Sequence, residues 1–215
     1  MNRAVISADI INSKKLSLRW RKQLPDRIGE LMSKFLQKDD RYSMERGDFI
    51  QVEVSPKKGL AMVLLLKTRL NAMASGTKVS KQENKMVDIR ISLGIGDVNL
   101  KGKTVGLSDG LAYQLSGTGL DQIKNNRQTL IMQCGEKDFN EELRVMAASL
   151  EFITSKWTKG SAEIVSLLIE GKKEMEIAEI LKISQSAVNQ RKKTAGWEVI
   201  NMMLQRYDMK TSNLK

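Results

Sequence analysis

Residues 87–95 read VDIRISLGI, in which Val87, Ile89, Ile91, Leu93 and Ile95 alternate without a break with Asp88, Arg90, Ser92 and Gly94. A period of two sends every apolar side chain to one side of an extended chain, so this segment is a strand with one buried face. Gly94 and Gly96, lacking a Cβ, leave space at its end for another backbone or a ligand to approach. On its N-terminal side lie a polar loop (75–85) and a helix over 60–73 carrying Met62, Val63, Leu65, Leu66, Leu70 and Met73. Before these, 42–45 and 49–54 read as two strands joined by a tight turn at Arg46, Gly47 and Asp48. A helix from Leu24 to Leu36, with Pro25 suited to its first turn, follows an apolar strand over 4–11 that Asp9 interrupts. On the C-terminal side the pattern gives a helix over 108–125, a strand over 129–132 and a helix over 138–153. The order β, α, β, β, α, β, α, β, α predicts an α/β (α+β) fold, a mixed sheet with covering helices. Residues 156–160 read as a linker, and beyond them the pattern is helical only. Two domains are therefore expected, an α/β unit over 1–155 and an all-α unit over 156–215.

Composition narrows the chemistry. The chain of 215 residues has one cysteine, Cys134, and no histidine, which removes disulfides within the chain, the usual zinc sets, and Ser-His-Asp or Cys-His catalysis. No long apolar run or export signal is evident, so cytoplasmic residence without membrane contact is expected. The 36 Lys and Arg against 25 Asp and Glu give a net charge of +11, which favours a polyanionic partner. Between Ile180 and Trp197 the basic residues Lys182, Arg191, Lys192 and Lys193 occur with no acid.

That local excess lies in SAEIVSLLIEGKKEMEIAEILKISQSAVNQRKKTAGW, residues 161–197. Ser161 can cap a first helix that Gly171 ends; a second runs from Glu174 to Leu181 with Ile177, Ala178 and Leu181 inward. A turn over 182–184 leads to a third helix capped by Ser184, with Ala187 and Val188 inward. Gln185, Ser186, Asn189, Gln190 and Lys193 then share an outward stripe, side chains able to bond base edges, while Arg191 and Lys192 suit phosphates. These are the expected contacts to double-stranded DNA. A last helix continues from Trp197 to about Tyr207, and a homodimer on paired half-sites is expected. The ordinary alternative is a three-helix unit that mediates dimerisation or covers the core. The segment resembles the helix-turn-helix of LuxR-type regulators and of the promoter-reading region of sigma factors, through residues 177–193 above all.

SADIINS (7–13), MERGDFIQV (44–52), DIRISLGIGDV (88–98) and SDGLAYQLSGTGLD (108–121) together resemble the SatD family and, more remotely, the class III nucleotidyl cyclase fold, over roughly residues 4–121. The resemblance implies a cyclase-like, ferredoxin-like sheet in which Asp9 and Asp48 hold a magnesium ion with a nucleotide, a hard-cation arrangement open to two neighbouring carboxylates. The alternative for both is a strand end and an ordinary turn. The chain departs from the cyclase pattern at Tyr113, Gln114 and Ser116, where an Asn and an Arg are expected, and at Met44, where a lysine is expected. The sequence thus predicts a transcriptional regulator without enzymatic activity, controlled by a ligand of its N-terminal domain such as a nucleotide; the alternative is a metal-dependent nucleotide-converting enzyme whose C-terminal helices mediate dimerisation.

Overall fold

The computed structural model describes residues 2–72, 87–126 and 128–214, so the loop expected over 75–85 lies outside the described residues. The strands are β1 (Asn2–Ile10), β2 (Arg41–Glu45), β3 (Phe49–Val54), β4 (Ile89–Asp97) and β5 (Leu130–Cys134), in the sheet order β2-β3-β1-β4-β5. β1 is antiparallel to both β3 and β4, β2 to β3, and β4 and β5 are parallel. The first four strands therefore form the split βαβ arrangement, with α1 (Leu18–Phe35) and α2 (Gly59–Ala72) as crossovers, and α3 (Leu111–Asn125) adds β5 at the edge. The expected mixed α/β sheet is present.

Strand parity decides the two faces. Ala4, Ile6, Ala8 and Ile10 of β1 enter the main core beneath α1, α2 and α4 (Lys137–Thr154), while Arg3, Val5, Ser7 and Asp9 point to the other face. On that second face α3 crosses β1, β4 and β5. The glycine of β4 makes this crossing feasible: a Cβ on Gly94 would collide with the Ala112 carbonyl oxygen and lie 2.6 Å from the Ser116 nitrogen.

Several boundaries differ from the sequence pattern. α1 starts at Leu18 rather than Leu24, because the Ser17 hydroxyl accepts from the Trp20 amide, and Pro25 sits inside the helix rather than in its first turn. The strand expected over 87–95 is Ile89–Asp97, since pairing with β1 extends its end.

The C-terminal helices are α5 (Lys159–Ile169), α6 (Glu174–Leu181), α7 (Gln185–Thr194) and α8 (Trp197–Ser212). They do not hang from a linker. Trp157 is buried and donates from its indole nitrogen to the Ala195 carbonyl at 3.0 Å, and Ala162, Val165, Ala195, Ile200 and Tyr207 belong to the same core as the sheet. α5 packs along α2, and α8 returns to the α/β unit, where Tyr207 donates to the Pro56 carbonyl at 2.9 Å and Arg206 and Lys210 hold Glu142. The expected division at residue 155 therefore passes through a continuous core, because the apolar faces of α2 and α4 are covered by α5 and α8. Among the described residues no helix is long and apolar enough to cross a membrane.

Candidate nucleic-acid interface

α5, α6 and α7 enclose a small core of their own, Ile164, Ile177 and Val188, bordered by Leu168, Leu181 and Ile183. Their turns are fixed by local chemistry. α5 is capped by Thr158, whose hydroxyl accepts from the Ser161 amide, so the helix begins a turn earlier than a Ser161 cap would allow. Gly171, at φ +80°, reverses the chain after α5. Lys182 adopts the left-handed conformation at φ +52° and Ile183 donates to the Ala178 carbonyl at 3.1 Å, closing α6 with its hydrophobic residue turned inward. Ser184 then caps α7, its hydroxyl accepting from the Ala187 amide at 3.1 Å. Ser184→Ala should lower stability by about 1 kcal/mol in chemical denaturation, the usual loss for a removed cap; an unchanged midpoint would show that the turn is held otherwise.

The side chains expected to read bases are arranged unequally. Gln185, Ser186, Gln190 and Lys193 are exposed along α7, and Asn189 is half-buried beside them. Lys192 is drawn into an ion pair with Glu174 of α6 at 2.8 Å, and Arg191 folds over the start of α5, where a Cβ on Gly160 would lie 3.1 Å from its Nη1. Residues 180–197 contain no acid, yet the fold brings one to them: Glu174 accepts from Lys192, which holds its carboxyl below the ordinary carboxylate range, with a further contribution from Asn189. Among the described residues the exposed cations of α7 and the turn before it are Lys182 and Lys193.

Asp9 and Asp48 lie at neighbouring strand ends, with the Ile10 amide donating to the Asp48 carbonyl at 3.1 Å. Their carboxylates have different partners. Asp9 faces Arg90 across β1 and β4 at 3.4 Å, and Asp48 accepts from the Ser13 hydroxyl at 2.7 Å. One oxygen of each carboxylate, Oδ2 in both, is thus engaged by a partner of its own. Among the described residues no group of three or more histidine, cysteine or acidic side chains is placed to hold a metal ion.

Two charged clusters were not anticipated. On the second face Glu53, 1% exposed, accepts from Arg3 at 3.0 Å and also from Arg41 and the Tyr113 hydroxyl, while Arg3 and Lys58 meet Asp40 at 3.2 and 2.7 Å. Burial pushes the Glu53 carboxyl up, but the hydrogen bonds from Tyr113 and Arg41 and the charges of Arg41 and Arg3 outweigh it and hold it low. Tyr113 is pushed up to about 12 by burial and by its bond to Glu53. The second cluster lies at the end of α5: Glu170, the residue that ends this helix, has a nearly buried carboxylate gripped by Lys34 of α1 at 2.6 Å and by Arg69 of α2. Single-residue patterns do not expose such clusters, since their members come from three or more elements.

A family model described as the SatD family matches residues 3–208. Among solved structures, one of a bacterial light-regulated adenylyl cyclase aligns at a TM-score of 0.45 and 11% identity over 61% of this chain and 75% of that chain. Another of the same description aligns at 0.46 and 12% over 62% and 43%, respectively. No curated protein sequence matches. The expectation of a protein without enzymatic activity is withdrawn; both aligned structures are described as adenylyl cyclases. At this identity and similarity no activity passes from them to this chain.

Proposed function

The chain belongs to the SatD family, and for this member we propose DNA-binding transcriptional regulation, with α7 entering the major groove of a duplex. The observation that carries the reading is the ridge of α7: Gln185, Ser186 and Gln190 exposed and uncharged, flanked by Lys182 and Lys193, on a helix fixed by its Ser184 cap and by Val188 beneath. Amide and hydroxyl side chains at the start of such a helix match the donor and acceptor pattern of base edges, and the lysines neutralise phosphates. A homodimer on paired half-sites belongs to the same proposal.

The test is fluorescence anisotropy of the full chain against duplex fragments of genomic DNA over a range of salt. Binding should weaken steeply with salt, and Lys193→Ala should weaken it on all sequences while lowering the slope by about 1. Gln190→Ala should instead cost roughly 1–3 kcal/mol on the preferred site alone. Binding that ignores salt and survives both substitutions would remove the reading. A further expected result follows from the ion pair with α6: Glu174→Gln should release Lys192 and Asn189 toward the duplex and tighten binding, by about tenfold if one phosphate contact is gained. Unchanged or weaker binding would assign Lys192 to the internal ion pair alone.

A further inference from the structure

Where α1 passes the C-terminal end of α2, a cavity of about 250 Å3 opens at the foot of the helix-turn-helix. Arg27, Lys34 and Arg69 line it, with Glu30 as the acidic member, and Ile28, Leu31 and Ala72 form an apolar floor. Arg27, Ile28, Leu31 and Lys34 recur at helical spacing, so one stripe of α1 supplies most of the wall.

Two of the three cations show what the place accepts. Lys34 and Arg69, both lining residues, grip the carboxylate of Glu170, whose side chain is 4% exposed. An internal carboxylate thus already occupies a seat made by a lysine and an arginine, the pair of side chains best suited to oxyanions. Among the described residues Arg27 has no such partner; its guanidinium lies 5.3 Å from the Trp20 ring centroid. The volume falls below the usual range for drug-sized ligands, which limits the occupant to a small metabolite.

We propose that this cavity binds a small metabolite bearing a carboxylate or phosphate group, and that the bound anion competes with Glu170 for Lys34 and Arg69. The apolar floor receives the body of the ligand and Arg27 closes on its anionic group. Because Glu170 ends α5 and Lys34 and Arg69 belong to α1 and α2, occupancy loosens the ion-pair tether between the helix-turn-helix and the α/β unit. The site lies apart from Asp9 and Asp48 and uses neither. Binding of the anion does not depend on the DNA reading; only the regulatory consequence does.

Isothermal titration of the full chain, without DNA, with inorganic phosphate, phenyl phosphate and benzoate tests the site. Phenyl phosphate should bind more tightly than phosphate, because only it uses the floor, and its comparison with benzoate tells whether the natural ligand class is a phosphate or a carboxylate. Arg27→Ala, which removes an exposed side chain and leaves the Glu170 cluster intact, should weaken the preferred probe by about tenfold or more, the loss of one charge-assisted hydrogen bond. Glu170→Gln should tighten it, since the competitor has lost its charge. Hydrogen exchange should show faster opening of α5 and α6 when the probe is bound. Absence of binding to both the wild type and Glu170→Gln, affinity unchanged by Arg27→Ala, weaker binding by Glu170→Gln, or unaltered exchange in α5 and α6 would each overturn the proposal. Failure to bind DNA with intact anion binding would overturn only the regulator reading.

Discussion

Replacing Glu53 by alanine is expected to remove about 3–5 kcal/mol of folding stability, a large share of the roughly 5–15 kcal/mol typical of a protein. The loss arises because Arg3 and Arg41 would stay on the sheet face beneath α3 and the neighbouring turn without the carboxylate that neutralises them, and the Tyr113 hydroxyl would lose its acceptor. Tyr113→Phe removes the hydrogen bond to Glu53 and a long one from Arg41 at 3.5 Å but leaves the ion pairs, so it should cost only about 1–2 kcal/mol. The pH dependence has a defined sign. Glu53 has a lowered carboxyl pKa in the folded protein, so its contribution is present above the unfolded carboxylate value near 4.3 and fades as the pH falls through the folded value. The stability gap between wild type and Glu53→Ala should therefore be widest at neutral pH and narrow below about pH 4. Urea denaturation at several pH values measures it; a gap under about 1 kcal/mol at neutral pH would mean that water, rather than Glu53, solvates the two arginines.

Truncation after residue 155 should have a still larger effect: the fragment 1–155 is expected not to fold cooperatively. It would expose the surfaces of α2 and α4 now covered by Trp157, Ala162, Val165, Ala195, Ile200 and Tyr207, all nearly or fully buried. Loss of a single buried aromatic such as Trp157 or Tyr207 costs about 3–5 kcal/mol, so losing both together with the four aliphatic residues removes an amount comparable to an ordinary stability margin. The complementary fragment 156–215 retains only Ile164, Ile177 and Val188 as a fully buried core and should be marginal. Dye binding to exposed apolar surface and loss of a cooperative melting transition in 1–155 are the expected signs. A monodisperse fragment with a sharp transition would restore the two-domain picture. If the truncation behaves as expected, the proposed role of α7 must be studied by substitution in the full chain.

The sequence disclosed the features that repeat along one element. The alternation in β4, the turn at Arg46–Asp48, the limits Glu174–Leu181 of α6 and the Ser184 cap of α7 were all legible, because a side-chain period or a cap is set by neighbours within a few residues. Gly94 was legible as a place of close approach, and the approaching backbone is that of α3. The start of α1 was not, since the apolar stripe begins a full turn and more after the Ser17 cap.

By itself, then, the sequence determined the order of strands and helices, the mixed α/β class and the local form of the C-terminal helices. Only the tertiary structure decided that these helices share the core of the sheet, that Glu174 reaches Lys192, and that Glu53 and Glu170 gather cations from distant segments. The physical reason is range: periodicity and capping are local properties of the backbone, whereas the burial of a charge and the covering of an apolar face depend on which elements meet, and that is fixed by packing the chain as a whole.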